Sequence, residues 1–315
     1  MQDVPLRAFE PVARYGYLGV HLFFMVSGYV IFMSAIDRTP RDFVASRVAR
    51  LYPALWVAAS ITMCLVHWFG DSRFMVSVPD YLWNLTLVPQ YVSAQFVDGA
   101  YWSLAVELQF YILIWITLRA SLMSRVEWLM AAWLVLSMVD AIRPVYPIER
   151  WLIAQWAPLF VVGATTFLVS AYGWSASRCV LLAAAGVLSL WNATLEAQRF
   201  GREWHGAGPS PLIVCATLIS AGAAFMAVGL GRVVLRKSRW ASIPGMLTYP
   251  VYLIHQIAGY MIYAAVLQRT ASPALGLAAA LIFSAAMGAA IHFGAEKPLG
   301  PRLRRFVGGA RALSK

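Results

Sequence analysis

Two arginines, one glutamate and two histidines are the residues of this sequence best suited to chemistry, because each stands in or beside a stretch that is otherwise apolar. Glu107 follows Trp102 by five residues, about 7.5 Å along a helix beginning there. A carboxylate at that depth in a bilayer is costly; it faces the interior of a helix bundle and has either a functional or a hydrogen-bonding role. His21, about 6 Å into its own helix, and His255 are expected near the same depth, where a neutral imidazole can take a proton from a hydroxyl. Each also reads as a histidine satisfied by packing and hydrogen bonds, His21 more so than His255. Arg47 and Arg50, three apart, share one helix face, with Arg38 and Arg41 close by. Such a face can fork hydrogen bonds onto phosphate oxygens, or simply hold the adjoining connector in the cytosol. Tyr101 and Trp102 suit either the membrane interface or the stacking of a substrate, and Ser103 is a hydroxyl with no activating base at a fixed spacing. His292 and Glu296, four apart with Lys297 adjacent, read as helix-end anchors, and Asp140 beside Arg143 as a solvated pair. No HExxH, GxSxG or Walker run occurs, which disfavours a metalloprotease, a serine hydrolase and an ATPase. Cys64, Cys179 and Cys215 are too scattered for a metal site or a disulfide framework.

The elements that must position these residues are membrane helices. Hydrophobic residues make up 61% of the 315 and charged residues 12%, with a mean hydropathy of +0.67; soluble domains carry roughly 25% charged residues. The apolar runs are continuous, whereas a barrel strand would alternate, so the fold class is an all-α, polytopic transmembrane helix bundle. Nine spans are predicted, at 17-36, 51-70, 102-119, 126-142, 151-171, 178-196, 211-231, 241-266 and 274-294, in a single domain over 1-315. The net charge of +11 lies in connectors between spans, where orientation explains it better than nucleic acid does. Connectors after the first, third, fifth, seventh and ninth spans hold 17 of the 25 basic residues. That bias puts the C-terminus, with a basic tail over 297-315, in the cytosol and makes 1-16 an external tail without the apolar core of a signal peptide. The connector 71-101 is the longest external segment and is expected to line an entrance or to pack as a re-entrant loop.

Three motifs then fall in order: Gly16-Tyr-Leu-Gly-Val-His-Leu-Phe-Phe-Met-Val-Ser-Gly-Tyr29, Arg47-Val-Ala-Arg-Leu-Tyr-Pro53 and Tyr101-Trp-Ser-Leu-Ala-Val-Glu107. Leu247-Thr-Tyr-Pro-Val-Tyr-Leu-Ile-His255 and Glu296-Lys-Pro298 follow. Together they resemble the acyltransferase 3 family of integral membrane O-acyltransferases acting on glycans, over roughly 16-300. The resemblance implies a ten-helix organisation whose first helix carries an Arg and, about eleven residues on, a catalytic His. The positions eleven after Arg7 and Arg14 hold Leu18 and Met25, so that helix is not among the nine, and it is expected upstream of Met1 or absent from a shortened, inactive member.

The resemblance further implies transfer of an acyl group, acetyl being the expected case, from cytosolic acyl-CoA to a hydroxyl of an extracytoplasmic polysaccharide or lipid-linked glycan, in the cell inner membrane. On that reading Glu107, His255 and His21 are the catalytic candidates, Arg47 and Arg50 hold the donor, and Trp102 and Ser103 meet the substrate. No metal and no permanently bound cofactor are expected; the partners are acyl-CoA, a glycan and the lipid bilayer. A transporter or lipid-binding membrane protein without chemistry is the alternative, against which the lack of internal repeats counts.

Overall fold

The structure, a computed structural model, describes residues 10–69, 72–203, 208–233 and 239–309. Among these residues all regular structure is helical, as the apolar runs require. In chain order come α1 (Glu10–Ala13), α2 (Leu18–Ala35), α3 (Pro40–Phe69), α4 (Val78–Asn84), α5 (Tyr101–Arg119), α6 (Val126–Ile142) and α7 (Tyr146–Leu152). They are followed by α8 (Ala157–Tyr172), α9 (Ala176–Glu203), α10 (Pro211–Gly229), α11 (Arg239–Ile254), α12 (Ile257–Thr270), α13 (Pro273–Ile291) and α14 (Lys297–Gly308). Proline opens α4, α7, α8, α10, α13 and α14, in the first turn, where its missing N–H would have had no helical partner.

Among the described residues six stretches are long and apolar enough to cross a membrane, and eight if two bent pairs, α7 with α8 and α11 with α12, each count as one. The remaining expected span, 126-142, corresponds to α6, whose 17 residues lie at the short limit for crossing. Two expectations need correction. The segment 241-266 is not one helix: it bends by 70° between Ile254 and Ile257. Nor is 151-171, which bends by 42° between Leu152 and Ala157. The basic tail expected from 297 is helical over Lys297–Gly308 and packs on α3, where Arg41 Nε donates to Val307 O at 3.0 Å. The segment expected as an external tail, 1-16, is helical over Glu10–Ala13, and its earlier part, like the chain beyond 309, lies outside the described residues.

The chain divides into two compact units. One, here the α3 unit, takes in Pro40–Leu108 and Arg236–Lys315; the other, the α8 unit, takes in Leu6–Thr39 and Gln109–Leu235. In the α3 unit, α3 packs on α11 and α14, and α13 on α11 and α12. In the α8 unit, α8 is the central helix, with 12 of its 16 residues buried, and its chief neighbours are α2 and α9. The α2–α8 crossing depends on two glycines. A Cβ on Gly28 would lie 2.3 Å from Phe160 O, and one on Gly163 would lie 2.0 Å from Met25 O, so only hydrogen lets the backbones meet. The Ser-Gly of the first motif is thus a packing device.

Candidate active site

The polar residues of the α3 unit gather around the break between α11 and α12. An unbroken helix would bond Ile257 N–H to Leu253 C=O. Here the two groups are satisfied separately: Ile257 N donates to Asp98 Oδ2 at 3.0 Å, and Leu253 O accepts from Tyr101 Oη at 3.1 Å. The other carboxylate oxygen, Asp98 Oδ1, accepts from Ala100 N at 2.9 Å, immediately before α5. One carboxylate therefore serves the N-terminal ends of both α5 and α12, where unpaired N–H groups and the helix dipoles favour negative charge. Asp98 is fully buried, and that burial raises its carboxyl pKa; the two backbone N–H groups and the nearby His255 ring pull it back down. Leaving either half of the separated hydrogen bond unmet in a buried site would cost about 1–3 kcal/mol.

His255 sits in the break and is exposed. Its Nδ1 lies 2.8 Å from Tyr252 O. A carbonyl can only accept, so Nδ1 bears the hydrogen and the neutral ring keeps the Nε2 lone pair. Tyr252 Oη donates to Ala100 O at 3.0 Å and is 2.6 Å from Ser103 Oγ, which is itself 3.1 Å from Ala100 O. Ser103, 0% exposed, is therefore tied to Tyr252 and to backbone. Glu107 stands one turn beyond Ser103 on the same face of α5 and is buried. Trp102 is half-buried at the start of α5.

Towards the other end of α11 the polar series continues. Tyr249 Oη donates to Leu51 O at 2.8 Å, and the Arg50 guanidinium lies 5.4 Å from the centre of its ring. Arg50 Nη1 is 2.7 Å from Glu296 Oε1, and His292 Nδ1 is 2.9 Å from Glu296 Oε2. These last two residues belong to a π-helical turn, His292–Glu296, that joins α13 to α14; such turns often mark functional sites. Helix-end anchoring understates their part, because Glu296 is buried and pairs with an arginine 246 positions away. Arg47 has its Nε 3.2 Å from Ser46 Oγ and its guanidinium over the Phe43 ring. The structure thus brings Arg50, Ser103, Glu107 and His255 along one stretch of the α3 unit, with Tyr249 and Tyr252 between them.

His21 belongs to the α8 unit. It is buried, with Nε2 3.2 Å from Glu196 Oε2 and its ring edge-on to Tyr17 and Trp156. Asp140 is buried, unlike the solvated residue expected, because its Oδ1 caps the following turn through Val145 N at 2.9 Å.

Sequence reasoning missed Asp98, Tyr252, Glu196 and the role of Glu296. Tyr252 was within reach, standing three before His255 on the same helix face; Asp98 carried no signal beyond being a carboxylate in a long aromatic loop.

A family model described as an acyltransferase domain matches residues 6–292. Neither a curated protein nor a solved structure matches the chain.

Proposed function

Because this chain belongs to the acyltransferase 3 family, we propose that it transfers an acyl group, acetyl in the expected case, from acyl-CoA to a hydroxyl of a glycan. The donor is taken from the cytosol and the acceptor is extracytoplasmic, with the protein in the inner membrane and its C-terminus in the cytosol. The basic connectors support that orientation.

The observation that carries the reading is the free Nε2 of His255, presented in a helix break that Asp98 and Tyr101 hold open. In this scheme Nε2 takes the acceptor's hydroxyl proton as the oxygen attacks the thioester carbonyl. The new C–O bond forms, the C–S bond breaks, and the departing thiolate recovers a proton to leave as free CoA. Glu107 keeps the Tyr249–Tyr252 side of the track polar and orients the groups around the imidazole. Arg50, drawn from Glu296, and Arg47 hold phosphate oxygens of the donor, for which a planar guanidinium is well suited. Trp102 offers a face to the sugar, and Ser103 steadies Tyr252.

The test uses inverted membrane vesicles that contain the protein and an enclosed saccharide acceptor, with acyl-labelled acyl-CoA added outside. Label on the enclosed saccharide together with stoichiometric free CoA supports the proposal. Movement of solute without consumption of thioester would replace it with a transport function, and inertness in both respects would make this a non-catalytic member of its family.

A further inference from the structure

The α8 unit holds a two-part cavity that none of the residues placed in the proposed transfer lines. One part, about 650 Å³, lies where α2, α5 and α8 end and α6 and α9 begin, at the end of the helices that the basic connectors assign to the cytosol. Asp37, Arg38, Glu127, Trp128, Tyr172 and Arg178 line it. The other part, about 310 Å³, is an apolar slot among α5, α6 and α8, with Phe110, Ile114, Leu129 and Phe160 in its walls. Phe32 and Val126 line both parts, so the two adjoin.

The slot offers nothing to a polar occupant. Thr117 and Trp133 carry its polar side-chain atoms, and both are spent: Thr117 Oγ1 donates to Leu113 O at 2.9 Å and Trp133 Nε1 to Leu152 O at 2.7 Å. From Val126 to Trp133 the slot follows α6 for about 10 Å at the helical rise. Ile116 and Leu129 in its wall are exposed, so it opens sideways as well as into the wider chamber. A hydrocarbon chain entering from the bilayer fits this shape.

The chamber selects the headgroup. Arg38 and Arg178 are balanced there by Asp37 and Glu127. Arg178 Nε is 2.9 Å from Glu127 Oε1, and Nη1 donates to Gly173 O at 2.7 Å, which leaves the remaining guanidinium N–H groups for a ligand. Trp128 and Tyr172 are largely exposed at the rim, as suits side chains at headgroup level. A net-neutral chamber opposes a polyanion such as CoA and matches a ligand with one phosphate and one ammonium group. Chain burial alone would gain little over the bilayer, whose tails are just as apolar, so the charged contacts must supply the selectivity.

We propose that this cavity binds a zwitterionic phospholipid with a primary ammonium headgroup. Its phosphate lies between Arg38 and Arg178, its ammonium towards Asp37, and one acyl chain fills the slot. This inference requires only that the helices span a bilayer and stands whether or not His255 is catalytic.

Native mass spectrometry of the purified protein, after incubation with phosphatidylethanolamine or phosphatidylglycerol, tests it. The expected result is one tightly retained phosphatidylethanolamine, with phosphatidylglycerol held about tenfold more weakly, the size of one charge-assisted contact. Arg38→Ala should weaken retention about tenfold by removing such a contact. Ala132→Trp, at an exposed position in the slot wall, should fill the slot and abolish retention. Glycerophosphoethanolamine, which has the headgroup without chains, should not compete. Equal retention of the two lipids, indifference to Ala132→Trp, displacement by the soluble headgroup or displacement by acyl-CoA would each overturn the proposal; the first two would mean annular lipid only.

Discussion

Asp98 and Tyr101 share out a hydrogen bond that one helix would otherwise keep to itself. The carboxylate takes the N–H of Ile257 and the phenol gives its proton to the carbonyl of Leu253, so α11 and α12 part by 70° without leaving either group unmet. His255, which an apolar helix would turn towards lipid or bury, is instead presented at the bend with its Nδ1 occupied and its Nε2 open. A break at this depth is tolerable in a membrane because its polar groups are satisfied inside the protein.

Tyr101→Phe keeps the ring and removes the hydroxyl that donates to Leu253 O. The variant should fold and be less stable by about 1–3 kcal/mol, the cost of a buried group left unpaired. Thermal unfolding in detergent, followed by tryptophan fluorescence, measures the loss; an unchanged midpoint would show that the carbonyl has another partner.

The buried Asp98 makes stability depend on pH. Its carboxyl pKa is raised in the folded protein above the ordinary 3.8. The stabilisation from this group is therefore complete below 3.8 and is lost as the pH rises through the higher folded value. The thermal midpoint should fall across that interval in the native protein. In Asp98→Asn, which cannot ionise and loses an acceptor for one N–H, the curve should be flatter and lower throughout.

Gly163→Ala should be poorly tolerated, since its methyl would sit 2.0 Å from Met25 O. Forcing α2 from α8 should cost about 1–3 kcal/mol or more and lower the yield of monodisperse protein. Size-exclusion profiles of solubilised membranes report it directly; a normal profile would mean that the helices can separate freely.

Arg50 and Glu296 make opposite predictions for the donor. Arg50→Ala should raise the KM for acyl-CoA about tenfold by removing a charge-assisted contact, whereas Glu296→Gln, which weakens the competing pair, should lower it. Steady-state transfer at varied acyl-CoA separates the two, and parallel changes in both variants would assign the pair to structure alone.

The fold was legible wherever apolar runs were continuous: seven of the nine expected segments lie on single helices, whereas 151-171 and 241-266 each straddle a bend. The break at 254–257 was hidden because no glycine or proline marks it; its cause is Asp98, about 160 residues earlier in the chain. Arg50, Glu107 and His255 stood out as polar groups in apolar surroundings, and the α3 unit holds all three. Their partners did not stand out. Glu296 looked like a helix-end residue until the fold set it against Arg50, and Glu196 lay unnoticed in α9 until it met His21. A carboxylate in a loop or near a helix end is ordinary in sequence, and only tertiary burial makes it unusual.

In the proposed transfer, His255 Nε2 removes the acceptor's proton. His255→Gln retains a side chain able to hydrogen-bond but not one able to act as the base. Acyl transfer to glycan should be measured in membranes with matched amounts of folded native and variant protein. Turnover should fall about 10²- to 10⁴-fold with little change in the KM for acyl-CoA. Transfer at the native rate would rule out His255 as the base.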